Sequence, residues 1–134
     1  MTNSKKNVVA VLSDLMFTVK IQEAAKRAGM EVIFVKSRED ALAKAKLHPA
    51  LLIIDLNGTS LDTLELIDTL KADPDTKNLD LLAYVSHVQV DLKQTAQDKG
   101  CDMVIARSAF SQNLPTILKR YADVTQSAQA KIEL

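Results

Sequence analysis

Asp55 closes a run of four aliphatic residues, Leu51, Leu52, Ile53 and Ile54. A carboxylate forced to the end of an apolar segment has to find partners there, because burying an unpaired charge is costly. Three other apolar runs also end in polar groups. Val8 to Leu12 is followed by Ser13 and Asp14, Leu81 to Val85 by Ser86 and His87, and Met103 to Ala106 by Arg107 and Ser108, while Asn57 lies just beyond Asp55. If these runs are strands of one parallel sheet, their ends bring carboxylates, hydroxyls and a guanidinium to a single edge. That edge, at the point where strand order reverses, is where open α/β sheets bind ligands. Spacing alone leaves two readings of Asp55: a functional carboxylate, or one that stabilises the turn after the strand.

Other chemistries find less support. With only Gly29, Gly58 and Gly100, the chain has no glycine-rich phosphate loop, so a dinucleotide or P-loop fingerprint is excluded. There is no nucleophile elbow and no zinc motif, and ordinary enzyme classes lack a candidate site. Cys101 is the single cysteine, which rules out an internal disulfide and reads as a small buried apolar residue. His48 before Pro49 and His87 beside Ser86 have no second ligand at metal-binding spacing and are read as structural. Lys plus Arg and Asp plus Glu both number 17, so no net field draws the protein to nucleic acid or an anionic membrane. The apolar runs are strand-sized, too short to span a bilayer, and the polar start at Met1 to Asn7 lacks a signal-peptide layout. A cytoplasmic location is the expectation.

The 134 residues suit one domain, with an ordered core from about 7 to 121 and a helix extension or tail over 122–134. Five apolar segments, the four named and Glu31 to Val35, have the continuous hydrophobicity of strands covered on both faces. Helical spacing lies between them. Phe17, Ile21, Ala24, Ala25 and Ala28 form one stripe, closed by Gly29. Ser37 with Asp40 reads as a capping box before a second helix that Pro49 terminates. Ser60 is the expected cap of a third helix that ends near Ala72, because Asp73 precedes Pro74. Val88 to Lys99 is a weaker fourth, and Phe110, Leu114, Ile117, Leu118 and Tyr121 mark a fifth with Pro115 placed near its first turn. Strand and helix thus alternate five times. Right-handed crossovers then give an α/β fold, a doubly wound five-stranded parallel sheet in a three-layer α/β/α arrangement.

The segment LLIIDLNGTSLDTLELI, Leu51 to Ile67, resembles the receiver domains of bacterial response regulators. Their pattern is an apolar strand, an acceptor Asp, x-Asn-x-Pro, and Asp-Gly-Leu-Glu-Leu opening the third helix. The match has no gap, and the likeness extends over roughly Asn7 to Tyr121. It implies a flavodoxin-like fold, with Asp55 as phosphoryl acceptor and the backbone carbonyl of Asn57 as a Mg²⁺ ligand. Ser86 falls at the switch hydroxyl, and Arg107 at the place of a Lys that contacts the phosphoryl group. Asp62, Leu64 and Glu65 match in place.

Several positions depart from that pattern. Thr59 replaces the usual Pro, Thr63 the Gly, Ser108 the Pro after the Lys, and Val104 an aromatic switch residue. Arg107 brings a planar fork where the family has a point charge. The paired acids after the first strand become Leu12, Ser13 and Asp14. Two registers are open: one leaves the site no second acid, the other brings Asp14 to it beside Asp55 as a Mg²⁺ ligand in a weakened metal site. Asp14 and Ser13 equally suit the cap of the first helix. The resemblance therefore implies a two-component phosphorelay receiver, served by a histidine kinase or phosphotransfer protein and acting on a downstream protein partner. The departures motivate an alternative, a pseudo-receiver acting as a phosphorylation-independent protein-protein interaction module. A small-molecule sensor using the same cleft is a third reading.

Overall fold

The computed structural model describes residues 6–57, 61–86 and 89–123. Strands and helices alternate as β1 (Asn7–Val11), α1 (Leu15–Arg27), β2 (Glu31–Val35), α2 (Arg38–Ala45), β3 (Leu51–Asp55), α3 (Thr63–Ala72), β4 (Leu81–Val85), α4 (Val90–Asp98), β5 (Met103–Ala106) and α5 (Arg107–Asp123). All pairings are parallel, in the order β2-β1-β3-β4-β5. This is the doubly wound sheet expected from the sequence, and its order reverses between β1 and β3.

Period-two alternation along the strands sorts their side chains into two cores. Val8, Ala10, Leu51, Ile53, Leu82 and Tyr84 face α1 and α5. Val9, Val11, Leu52, Ile54, Leu81, Ala83 and Val85 face the layer that supplies Ala41 and Ala45, Leu66, Ile67 and Leu70, and Ala96. All five residues of β3 and of β4 are buried, as continuous apolar runs in a sheet covered on both faces should be. Asp55 follows Leu51 and Ile53 at the same parity, so its carboxylate belongs to the side of α1 and α5.

The helix ends follow local chemistry. Gly29 takes a φ of 75° after α1, and the Met30 N–H returns to the Ala25 carbonyl at 2.8 Å. The Ser37 hydroxyl accepts from the Asp40 N–H at 3.1 Å to start α2. Asp62, not Ser60, caps α3, taking the Glu65 N–H at 3.1 Å. Ser60 and Thr59 lie outside the described residues, as do His87 and the tail beyond 123.

Pro115 is a correction. The chain passes from β5 into α5 at Arg107, one turn earlier than Phe110 implied, so Pro115 sits in the helix interior and not near its first turn. Its ring is exposed, and its missing N–H leaves the Ser111 carbonyl without the usual helical donor. The early start arises because no turn residue separates Ala106 from Arg107.

Glu65, in the first turn of α3, clamps α2. Arg38 donates to its two oxygens at 2.7 and 2.9 Å, and the Thr69 hydroxyl donates to it at 2.7 Å. These bonds, Arg38 first and Thr69 second, pull the Glu65 carboxyl from 4.5 down to about 2. A depressed carboxyl stabilises the fold fully above its unfolded value and loses that contribution as pH falls through its folded value. Wild type should therefore be modestly more stable than Glu65→Gln at neutral pH, with the gap closing between pH 4.5 and about 2. Urea unfolding across that range checks this, and a gap that stays constant down to pH 2 would refute the clamp.

Candidate functional site

Asp55, at the last position of β3, is only 1% exposed. Its Oδ1 accepts the Asn57 N–H at 2.9 Å, an Asx-type contact that turns the chain out of the strand. The Asn57 side chain then ties neighbouring loops together: its Oδ1 accepts the Ser86 N–H at 2.8 Å, and its Nδ2 donates to Gln89. Asp55 and Ser86 are thereby held on one short path across the ends of β3 and β4.

Tyr84 stands opposite Asp55 in the β3–β4 register and points to the same face. It is 1% exposed, and its ring stacks on Phe110 at 4.6 Å and 10°, with Phe17 at 5.1 Å. Burial pushes the phenol well above its ordinary value, and the charge of Asp55 adds to that. Arg107 pulls the other way, and Asp14 pushes it up again. One buried hydroxyl therefore senses all three charged groups. In the sequence Tyr84 reads only as part of the apolar run Leu81 to Val85. The signal was there, since a tyrosine inside a strand buried on both faces must bring its hydroxyl to some polar neighbour.

Asp14 is the N-cap of α1. Its Oδ1 accepts from the N–H groups of Met16 and Phe17 at 2.9 and 3.2 Å. Its Oδ2 receives a charge-assisted hydrogen bond from the Arg107 guanidinium. Burial works to raise this carboxyl, but the Phe17 N–H, Arg107 and the Met16 N–H outweigh it and hold it below the ordinary 3.8. Leu12 is buried in the core and Ser13 is exposed, so Asp14 is the acid that reaches this edge from β1.

Arg107 opens α5, and its Cζ lies 4.4 Å from the Phe17 ring centroid, within cation–π range. Phe17, Ser86, Arg107, Ser108 and Ser111 line a cleft of about 330 Å³ at the strand ends. Lys20 borders it, donating to the Ser111 hydroxyl at 3.0 Å. No cis peptide bond occurs among the described residues, so Arg107 joins Ser108 through a trans bond. Val104 is buried in the opposite core, beside Ala83. The structure thus gathers Asp14, Asp55, Ser86 and Arg107 at one edge, together with Phe17 and Tyr84. No group of three or more His, Cys, Asp or Glu side chains with metal-binding placement occurs among the described residues. Nor is any helix among them long and apolar enough to cross a membrane.

No protein-family model matches the chain, and no curated protein matches it. Solved structures do. The phosphorylated cyanobacterial phytochrome response regulator RcpA superposes with a TM-score of 0.73 at 24% identity, over 87% of this chain and 90% of its own. The Mn²⁺-bound form of response regulator Rcp1 gives 0.77 at 16% identity, over 90% and 97%. The receiver domain of a Pseudomonas aeruginosa PAO1 sensor histidine kinase, with magnesium in its active-site cleft, gives 0.75 at 15%, over 90% and 100%. The chain has the receiver fold.

The double duty of Asp14 can be separated by substitution. Asp14→Ala should cost about 1–2 kcal/mol through the lost cap, while Asp14→Asn, itself a good cap, should recover most of that. Losing the charge opposite Arg107 adds little, because the guanidinium is 43% exposed. Chemical denaturation measures all three proteins, and equal losses for Ala and Asn would show that the cap is not what matters.

Proposed function

We propose that the chain is a receiver-type signalling module that works through contacts with a protein partner and does not depend on phosphorylation of Asp55. One observation carries this reading: the Arg107 guanidinium is already committed to Asp14 and to the Phe17 ring. The group that would meet an incoming phosphoryl oxygen is held by an internal carboxylate. Asp55 itself is only 1% exposed, opposite Tyr84 in the β3–β4 register.

The metal needed for acyl-phosphate chemistry also fits poorly. Mg²⁺ takes near-octahedral oxygen ligands, usually with one or two carboxylates. Both oxygens of Asp14 are engaged by groups of this chain, and Asp55 accepts from Asn57. The Mn²⁺ and magnesium sites belong to Rcp1 and to the sensor kinase receiver.

A second reading is favoured by one specific feature. Asp55 ends the central strand with Ser86 tethered next to it through Asn57. That is the layout for phosphoryl transfer from a histidine kinase or phosphotransfer protein to Asp55, with Ser86 and Arg107 contacting the product and Asp14, Asp55 and the Asn57 carbonyl holding Mg²⁺.

Intact-protein mass after incubation with a small phosphodonor and Mg²⁺ separates the two. The expected result is no phosphoryl adduct on the wild type, which then matches Asp55→Asn. An adduct present on the wild type and absent from Asp55→Asn would overturn the proposal in favour of the second reading.

A further inference from the structure

We infer that Arg107 is the resident cation of the Asp55 site: its guanidinium holds the Asp14 oxygen that a divalent ion would need, and so makes the site metal-free by construction. The inference rests on reading Asp55 as the centre of that site. Three observations support it independently of any absent ion.

First, both oxygens of Asp14 are engaged within the chain. Oδ1 serves two backbone N–H groups of α1, and Oδ2 serves Arg107. Second, the guanidinium is held from two directions, by the carboxylate and by the face of Phe17 at 4.4 Å. A planar, delocalised cation can satisfy both contacts at once, while a hydrated ion or an ammonium cannot stack in the same way. Third, Phe17 is fixed from below by Tyr84 at 5.1 Å and Phe110 at 6.0 Å, so the surface supporting Arg107 belongs to the core.

A divalent ion coordinated by both Asp55 and Asp14 would have to share or displace the guanidinium at Asp14 Oδ2. It would then leave that positive group close to a double positive charge, and like charges a few ångströms apart in a half-buried cleft repel strongly. Arg107 thus acts on metal binding twice, by occupying a ligand and by adding like charge. Removing it should therefore create a metal site where the wild type has none. A merely structural role for the ion pair would not produce that gain.

The test is calorimetric titration of Mn²⁺ and Mg²⁺, without any phosphodonor, into the wild-type chain, Arg107→Ala, Arg107→Gln and the double variant Asp14→Asn/Arg107→Ala. Because no phosphodonor is present, the result is independent of whether Asp55 can be phosphorylated. Circular dichroism establishes that each variant is folded, and Arg107→Gln serves if the alanine variant is not. The expected result is no saturable binding to wild type through the low-millimolar range. Mn²⁺ affinity should be at least tenfold higher in the Arg107 variants, and the gain should be lost in the double variant. The inference is overturned if wild type binds as tightly as a folded Arg107 variant, if neither folded variant binds more tightly than wild type, or if the gain survives Asp14→Asn.

Discussion

Asp14 and Arg107 come from opposite ends of the chain's supersecondary order, one leaving β1 and the other entering α5. In the sheet, β3 and β4 lie between β1 and β5. Strands about 4.8 Å apart put roughly 14 Å between those outer two, and the side chains meet because α1 and α5 share one face of the sheet. The inner strands end in Asp55 and in Tyr84 with Val85. The charges of Asp55, Arg107 and Asp14 all act on the buried Tyr84 phenol. Much of the arrangement at this edge follows from the one contact. Asp14 caps the start of α1 with its other oxygen and Arg107 is the first residue of α5, so the contact joins the two helix starts at this edge.

The contact is held in place by the core beneath it. Phe17, Tyr84 and Phe110 pack as a three-ring cluster, each from a different element, and each is nearly inaccessible. Aromatic side chains bury large areas with few rotatable bonds, so they make a stiff platform. The chain has few aromatic residues, and three of them are spent here. Because Phe17 is fixed, the guanidinium above it has a defined resting place. Because Tyr84 is fixed, its hydroxyl stays against Asp55 instead of turning to solvent.

Much of this was legible in the sequence. The five apolar runs, the alternation of strand and helix, the caps at Ser37 and Gly29 and the end of α3 before Pro74 all follow from local rules that the fold does not override. Asp55 was legible because a carboxylate ending an aliphatic run is conspicuous. What local rules could not supply was pairing across the sheet. Asp14 was open between cap and site because each role needs the same short side chain, and its partner lies 93 residues away. Tyr84 was hidden because a tyrosine in an apolar run scores as core. Its relation to Asp55 exists only through the β3–β4 register. Pro115 misled for a similar reason. A proline at a helix start is the common case, and only the abrupt passage from Ala106 into α5 moves it to the interior.

A cation built into the chain behaves differently from one that is bound. A bound ion occupies its site according to its concentration, and the stabilisation it gives rises and falls with supply. A tethered guanidinium is present at a high effective concentration set by the fold, and no chelator removes it. Arginine is also the cation least able to lose its charge near neutral pH, so neither metal supply nor ordinary pH changes would unlock Asp14. A partner that opens this edge must therefore compete for the guanidinium or for the Phe17 face. The outer surface of α1 beside them carries Leu15, Met16 and Val19, all largely exposed, so the residues around the bridge mix a fixed charge pair with apolar area. An opening event there is a matter of exchanging contacts. That behaviour follows from the planar fork of Arg107 acting with Asp14, the acid that reaches this edge from β1.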